Sequence, residues 1–215
     1  MICVRLGERH LVASASVMSP RWRGQPAERS IQLNQVRACD VHVRPAPRAE
    51  APGIVWVSNS SIGPGEDVGF GGGMDSPFHD TSALLSAWRD PNVVQGEEVL
   101  VAEMGGRIVG CVTVEDRGRE LELVNIDVPL ELQGSGIGTM LVQSVEERAM
   151  AAGKYAVTAG TSRNAEGVAW KSLPWWQHLG YQVTHEEENA WTRSIGPGVR
   201  EIRMRKDLPA GTDHS

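Results

Sequence analysis

Apolar residues recur at two spacings along this chain, and the switches between them mark out its elements. In "CDVHVRPA" Val41 and Val43 alternate with His42 and Arg44 until Pro45, the pattern of a first strand. "RAEAPGIVWVSNSSI" is a weak helix candidate, because its β-branched residues oppose that state. Residues 63–75, "GPGEDVGFGGGMD", have no period and read as a flexible substrate-side loop or plain linker. "SPFHDTSALLSAWRD" has helical spacing, with Ser76 and Pro77 as its start and Pro91 beyond its end. "EVLVAEM", a Gly105–Gly106 turn, "RIVGCVTVED" and "LELVNIDV" form a three-strand meander. The next helix carries Ile137, Leu141, Val145, Ala149 and Ala152 on one stripe and closes at Gly153. "YAVTAG" is a strand, and "NAEGVAWKSLPWWQHLG" is largely helical, interrupted or restarted by Pro174. "YQVTHE" and "REIRMRKDL" are the last strands, joined through "TRSIGPG". This order predicts a mixed α/β sheet with helices on its faces. Residues 1–37 lack any sustained period and read as an irregular N-terminal extension, ahead of one domain at 38–210.

One strand breaks its own rhythm. In "ELELVNIDV" alternation holds for Leu121 and Leu123, slips by one, and resumes at Val124, Ile126 and Val128. A period-2 strand cannot keep one face apolar through such a slip unless it accommodates an extra residue. The slip therefore predicts a β-bulge at Leu123–Val124. It also puts Glu122, Asn125 and Asp127 on the face opposite the apolar stripe.

Composition narrows the function. The 215 residues are 40% hydrophobic and 22% charged, with a formal net charge of −6, which disfavours a nucleic acid or an acidic membrane as the main partner. Cys3, Cys39 and Cys111 are an odd, sparse set without CxxC, as expected in a reducing cytoplasm. "LVASASVM" is too short and too interrupted for a secretion signal. The histidines show neither HExxH nor a Cys/His cluster, so no metal is expected.

The informative stretch is "ELQGSGIGTML", with three glycines at alternate positions just ahead of a helical pattern. A dinucleotide turn needs GxGxxG, and Thr139 stands where the third glycine belongs. A P-loop needs GK[ST], which does not occur. Gln133-Gly134-Ser135-Gly136-Ile137-Gly138 fits Q/R-x-x-G-x-G/A following a strand and opening a helix. On these residues, and on "WWQHLGY" later, the chain over about 39–208 resembles the GNAT superfamily of acyl-CoA-dependent N-acetyltransferases. Physical chemistry agrees with the motif: successive bare N–H groups at a positive helix end form an anion site, suited to a diphosphate.

The resemblance implies the GNAT fold: a mixed central sheet with splayed middle strands and helices on both faces. It implies acetyl-CoA as co-substrate. The diphosphate would lie on Gln133, Gly134, Ser135, Gly136, Ile137, Gly138 and Thr139, and the pantetheine arm along Ile126, Asp127 and Val128, with Asn164 also in contact. The Val128 N–H would polarise the thioester carbonyl. An amine, on a small molecule or a peptide, would attack directly once a carboxylate had taken its proton. Glu122, eleven residues before Gln133, is the expected base, with Glu120 and Asp127 as rivals. Family members often carry a tyrosine acid where this chain has Trp176, which cannot ionise usefully. That substitution keeps alive a second reading, an acetyl-CoA-binding sensor with little transfer activity. Cys111 reads as a buried small hydrophobe rather than a nucleophile. Acidic residues Glu66, Asp67, Asp75 and Asp80 favour a small cationic acceptor, and dimers being common in the family, a homodimer is an expected assembly.

Overall fold

The structure is a computed structural model that describes residues 40–61, 81–87 and 97–209. The predicted extension at 1–37, the loop at 63–75 and the Ser76–Pro77 helix start lie outside the described residues. Seven strands form one sheet: β1 Val41–Pro45, β2 Glu97–Met104, β3 Arg107–Asp116, β4 Glu120–Asp127, β5 Ala156–Arg163, β6 Gln182–Glu187 and β7 Arg200–Asp207. Their spatial order is β1-β2-β3-β4-β5-β7-β6. Neighbours are antiparallel except β4 and β5, which run parallel. The crossover between those two is the helix α3, Ile137–Ala151.

The two faces are covered by different helices. Helix α1, Ala51–Ser60, and helix α2, Thr81–Ala87, close a small core with Val99, Val101 and Cys111. On the opposite face α3 and the short α4, Leu173–His178, pack a larger core with Leu100, Val112, Leu123, Ile126, Val157, Ala159, Ile202 and Met204. Ile137, Leu141, Val145 and Ala149 of α3 are buried, so the predicted stripe is real up to Ala149. Ala152 is exposed beyond the helix end, where Gly153 at φ 66° and a Lys154 N–H bond to the Ala149 carbonyl (2.9 Å) turn the chain away.

Three expectations change. The β-branched stretch at Ala51–Ser60 is a full helix, because Ile54, Val55 and Val57 are buried against the sheet and packing outweighs intrinsic propensity. The stretch from Asn164 is turn and bridge until Leu173, so the helix there has only six residues, and Pro174 sits in its first turn. A fifth helix, α5 at Ala190–Ile195, occupies the connection between β6 and β7, started by a reciprocal Asn189–Thr192 capping box.

Candidate active site

The expected bulge is present. Leu123 pairs with Val114 and Asn125 with Thr113, which leaves Val124 as the extra residue. Beyond it the sheet opens. Parallel pairing of β4 with β5 runs from Glu120–Ala156 to Leu123–Ala159 and stops. β4 continues to Asp127, still paired with β3, and β5 to Arg163, still paired with β7. The two strands thus part at their carboxyl ends, and the edges facing one another carry backbone groups that no ladder uses. Ligands of open α/β sheets bind at that end of the strands.

The helix α3 begins at the same end. Its N-cap is Gly136 in a left-handed conformation, with no side chain capping it. Gly134 (φ 80°) and Gly136 (φ 91°) both lie in the region that disfavours side chains, and a Cβ on either would meet nothing within 4 Å. The backbone there is open to approach. Among the described residues, the amides of Gly134, Gly136, Ile137, Gly138 and Thr139 donate to no protein acceptor, whereas the helix ladder starts with Met140 N–H to the Gly136 carbonyl (3.0 Å). Two of the seven expected amides are in use. Gln133 N–H reaches the Leu130 carbonyl and Ser135 N–H the Leu132 carbonyl, each at a long 3.3 Å.

Neighbouring glycines set where that helix end sits. A Cβ at Gly110 of β3 would come within 2.9 Å of Ile137 Cγ2 and 3.1 Å of Leu141 Cδ1, so the bare strand lets α3 settle onto the sheet. A Cβ at Gly138 would lie 3.3 Å from the Trp175 ring of α4. The Gln133 side chain latches the turn in place. Its Nε2 donates to the Ser61 carbonyl at the end of α1 (2.9 Å) and to the Val128 carbonyl (3.1 Å).

The face carrying α1 holds the carboxylates. Glu122, Asn125 and Asp127 share it, as expected, but all three are buried rather than solvated. Glu122 Oε1 accepts from Arg203 Nη1 of β7 (2.7 Å) and Oε2 from Arg117 Nε (2.7 Å). Burial alone would raise its pKa, but the charges and hydrogen bonds of Arg203 and Arg117 outweigh that and hold it below the usual carboxylate range. Arg203 Nη1 also donates to Glu201 Oε1 (2.8 Å). Asp127 is arranged differently. Asn125 Nδ2 donates to its Oδ2 (2.6 Å), and the Ser61 hydroxyl lies 3.0 Å from Oδ1 while also reaching the Ser58 carbonyl (2.7 Å). No ion pair involves Asp127 among the described residues.

Ile126 is buried toward α3, and Val128 follows the end of β4. Asn164 spends its side-chain oxygen on the Val168 N–H (2.7 Å), holding the turn after β5. Cys111 is buried beside Asp127, and burial first and that carboxylate second push its thiol well up, as suits a packing residue. Trp176 is wholly buried, its Nε1 has no partner among the described residues, and its ring stacks edge-on against Tyr181 at 4.9 Å. Tyr181 itself donates to Glu146 (3.2 Å) and is held far above its ordinary pKa by burial, then by that carboxylate, so it is no acid near neutrality. The Arg203 partnership of Glu122 was invisible in sequence, since the two residues stand 81 positions apart.

A sheet parted between parallel strands, with helix amides at the open end that have no acceptor among the described residues, defines an α/β protein whose helix α3 starts at the mouth of a strand parting. The sequence pattern of the acetyltransferase (GNAT) family matches residues 70–181, more than half of the chain, and the protein belongs to that family. A Bacillus subtilis protein, the uncharacterized YdhI, is 32% identical over 100 residues, a match spanning 45% of this chain and 58% of that protein. Among solved structures, the chain is similar to YncA of Salmonella typhimurium, a putative acetyltransferase bound to its cofactor acetyl-CoA. The TM-score is 0.58 at 21% identity, over 79% of this chain and 94% of the other. It is similar too to the ribosomal-protein-S18-alanine N-acetyltransferase of Escherichia coli, with a TM-score of 0.58 at 13% identity, over 81% and 98% of the two chains. At these identities the likeness is one of fold.

Proposed function

We propose that the protein transfers an acetyl group from acetyl-CoA to an amine, without a covalent enzyme intermediate. The observation that carries this is the set of five amides from Gly134 to Thr139 that have no acceptor among the described residues, at the open end of the β4–β5 parting. Acetyl-CoA, when bound, supplies a thioester-activated acyl group and a diphosphate. The residues present fit it. The free amides and the helix end suit the diphosphate, and the unpaired edge of β4 from Val124 to Asp127 suits an amide-rich arm. The N–H of Val128 is the donor assigned to the carbonyl being attacked.

The attacking amine must be neutral, and amines are mostly protonated at neutral pH. The two arginines on Glu122 favour its charged form, and its lowered pKa makes it a weak base. Asp127 has no ion pair among the described residues, and Asn125 and Ser61 fix its orientation. We therefore assign proton removal, directly or through one water, to Asp127, and give Glu122 the task of holding Arg203 and Arg117 in place. No ionisable acid is needed for the leaving thiolate, since a thiol of pKa about 8.5 departs and collects a proton from water.

Release of free thiol from acetyl-CoA in the presence of a panel of amines tests the reading. Turnover dependent on the amine, reduced at least a hundredfold in Asp127→Asn, is the expected result. Tight coenzyme A binding with no transfer to any amine would favour a sensor instead.

A further inference from the structure

Four buried side-chain polar atoms lack a partner among the described residues: Asn125 Oδ1, Thr158 Oγ1, Ser162 Oγ and Trp176 Nε1. Three of them lie on one face, along the two strands that part. Strand alternation puts Thr158, Gly160 and Ser162 of β5 on the same face as Glu122, with Thr158 beside Glu122 in register. Ser162 stands opposite Glu201, and Gly160 opposite Arg203. A buried polar atom without a hydrogen bond bears its desolvation cost uncompensated, so three in one place call for a partner that arrives with a ligand.

The charges around them give that partner its sign. Glu115, Glu122 and Glu201 are linked by Arg117 and Arg203, three carboxylates to two guanidiniums. Asp127, on the other flank of the parting, adds a carboxylate with no ion pair among the described residues. Arg203, the more buried of the two guanidiniums, has its Nη1 tied to both Glu122 and Glu201. Glu201 is brought to the vertex by the absence of a side chain at Gly160, where a Cβ would sit 2.5 Å from its Oε1. Asn189 Nδ2, at the start of α5, steadies its other oxygen. The unpartnered atoms of this cradle, one amide oxygen and two hydroxyls, can all accept a hydrogen bond. Ammonium groups carry only donors.

We infer that this face of the parting is the acceptor subsite and that it selects an amine bearing a second cationic group. The reacting amine lies on the Asp127–Asn125 flank and the second cation on the Glu201–Ser162 flank. This rests on the acetyl-transfer reading for the first amine only. The binding preference itself stands on the cradle.

The test uses three amines with one six-carbon spacer, since paired strands lie about 5 Å apart and these are parted further. Hexylamine, 1,6-diaminohexane and 6-aminohexanoate are titrated calorimetrically into the full-length protein saturated with coenzyme A. The diamine is expected to bind at least tenfold tighter than hexylamine, with 6-aminohexanoate weakest. Glu201→Gln and, as a variant that changes no charge, Gly160→Ala shrink the diamine advantage to under threefold while coenzyme A affinity stays within twofold. Equal binding of the three, a preference for 6-aminohexanoate, or binding of none overturns the inference. Thiol release with the same three amines separates the two claims. Charge-ordered binding without transfer leaves the cradle standing and removes the transferase; transfer without charge ordering does the reverse.

Discussion

At the scale of single residues, the buried carboxylates Glu122 and Asp127 have different surroundings, and the proposed function gives them different tasks. Glu122 is locked between two guanidiniums, and its folded pKa lies below the unfolded value of about 4.3. A depressed carboxylate contributes stability above its unfolded pKa and loses it as pH falls through the folded one. Glu122→Gln is therefore expected to destabilise the protein at pH 7 by about 3 kcal/mol, the low end for a broken buried pair, because Arg203 keeps Glu201. Urea melts should show the gap between variant and parent closing below about pH 4. A gap unchanged down to pH 3 would contradict the pairing. Asp127→Asn should leave stability nearly unchanged and remove turnover, with acetyl-CoA affinity within threefold; equal loss of both would remove Asp127 from proton transfer. The glycines of the turn were readable because each serves backbone geometry, which residue identity alone dictates. The arginines on Glu122 were not, because that contact is set by strand order and not by local spacing.

Among the elements, the slip in β4 is the clearest case of a local pattern foretelling a tertiary feature. A single extra residue, Val124, turns one continuous strand into a paired half and a free half. The meander and α3 were legible for the same reason, since each buries one face with one period. Helix α1 was obscured because its β-branched residues follow the packing against β3 rather than their own preference. Helix α5 was obscured because a six-residue helix has too few turns to display a period, although Asn189 and Thr192 are a readable cap. The seat of α3 on Gly110 is open to test. Gly110→Val should force Ile137 and Leu141 outward, destabilising the fold by about 1–3 kcal/mol and weakening coenzyme A binding more than tenfold. Full coenzyme A affinity in that variant would show that the helix position does not matter. Gly136→Ala, strained at φ 91°, should cost about 1–2 kcal/mol and weaken the same binding without touching the sheet.

The molecule as a whole brings a helix end and a strand parting to one side of one sheet, with α1 and α2 over one face and α3 and α4 over the other. Element order made that architecture legible, because a parallel pair joined by a helix has one favoured hand and one ligand-binding end. The inferred acceptor subsite was not legible, since it combines residues from β4, β5, β7 and the start of α5. No helix among the described residues is long and apolar enough to cross a membrane. The most direct measurement is an amide NMR titration of the protein with coenzyme A. The signals of Gly134, Gly136, Ile137, Gly138 and Thr139 should shift together and saturate at one stoichiometric ligand, with pantetheine, which lacks the diphosphate, leaving them in place. Coenzyme A binding that moved other amides and left these five unshifted would contradict the account at its centre.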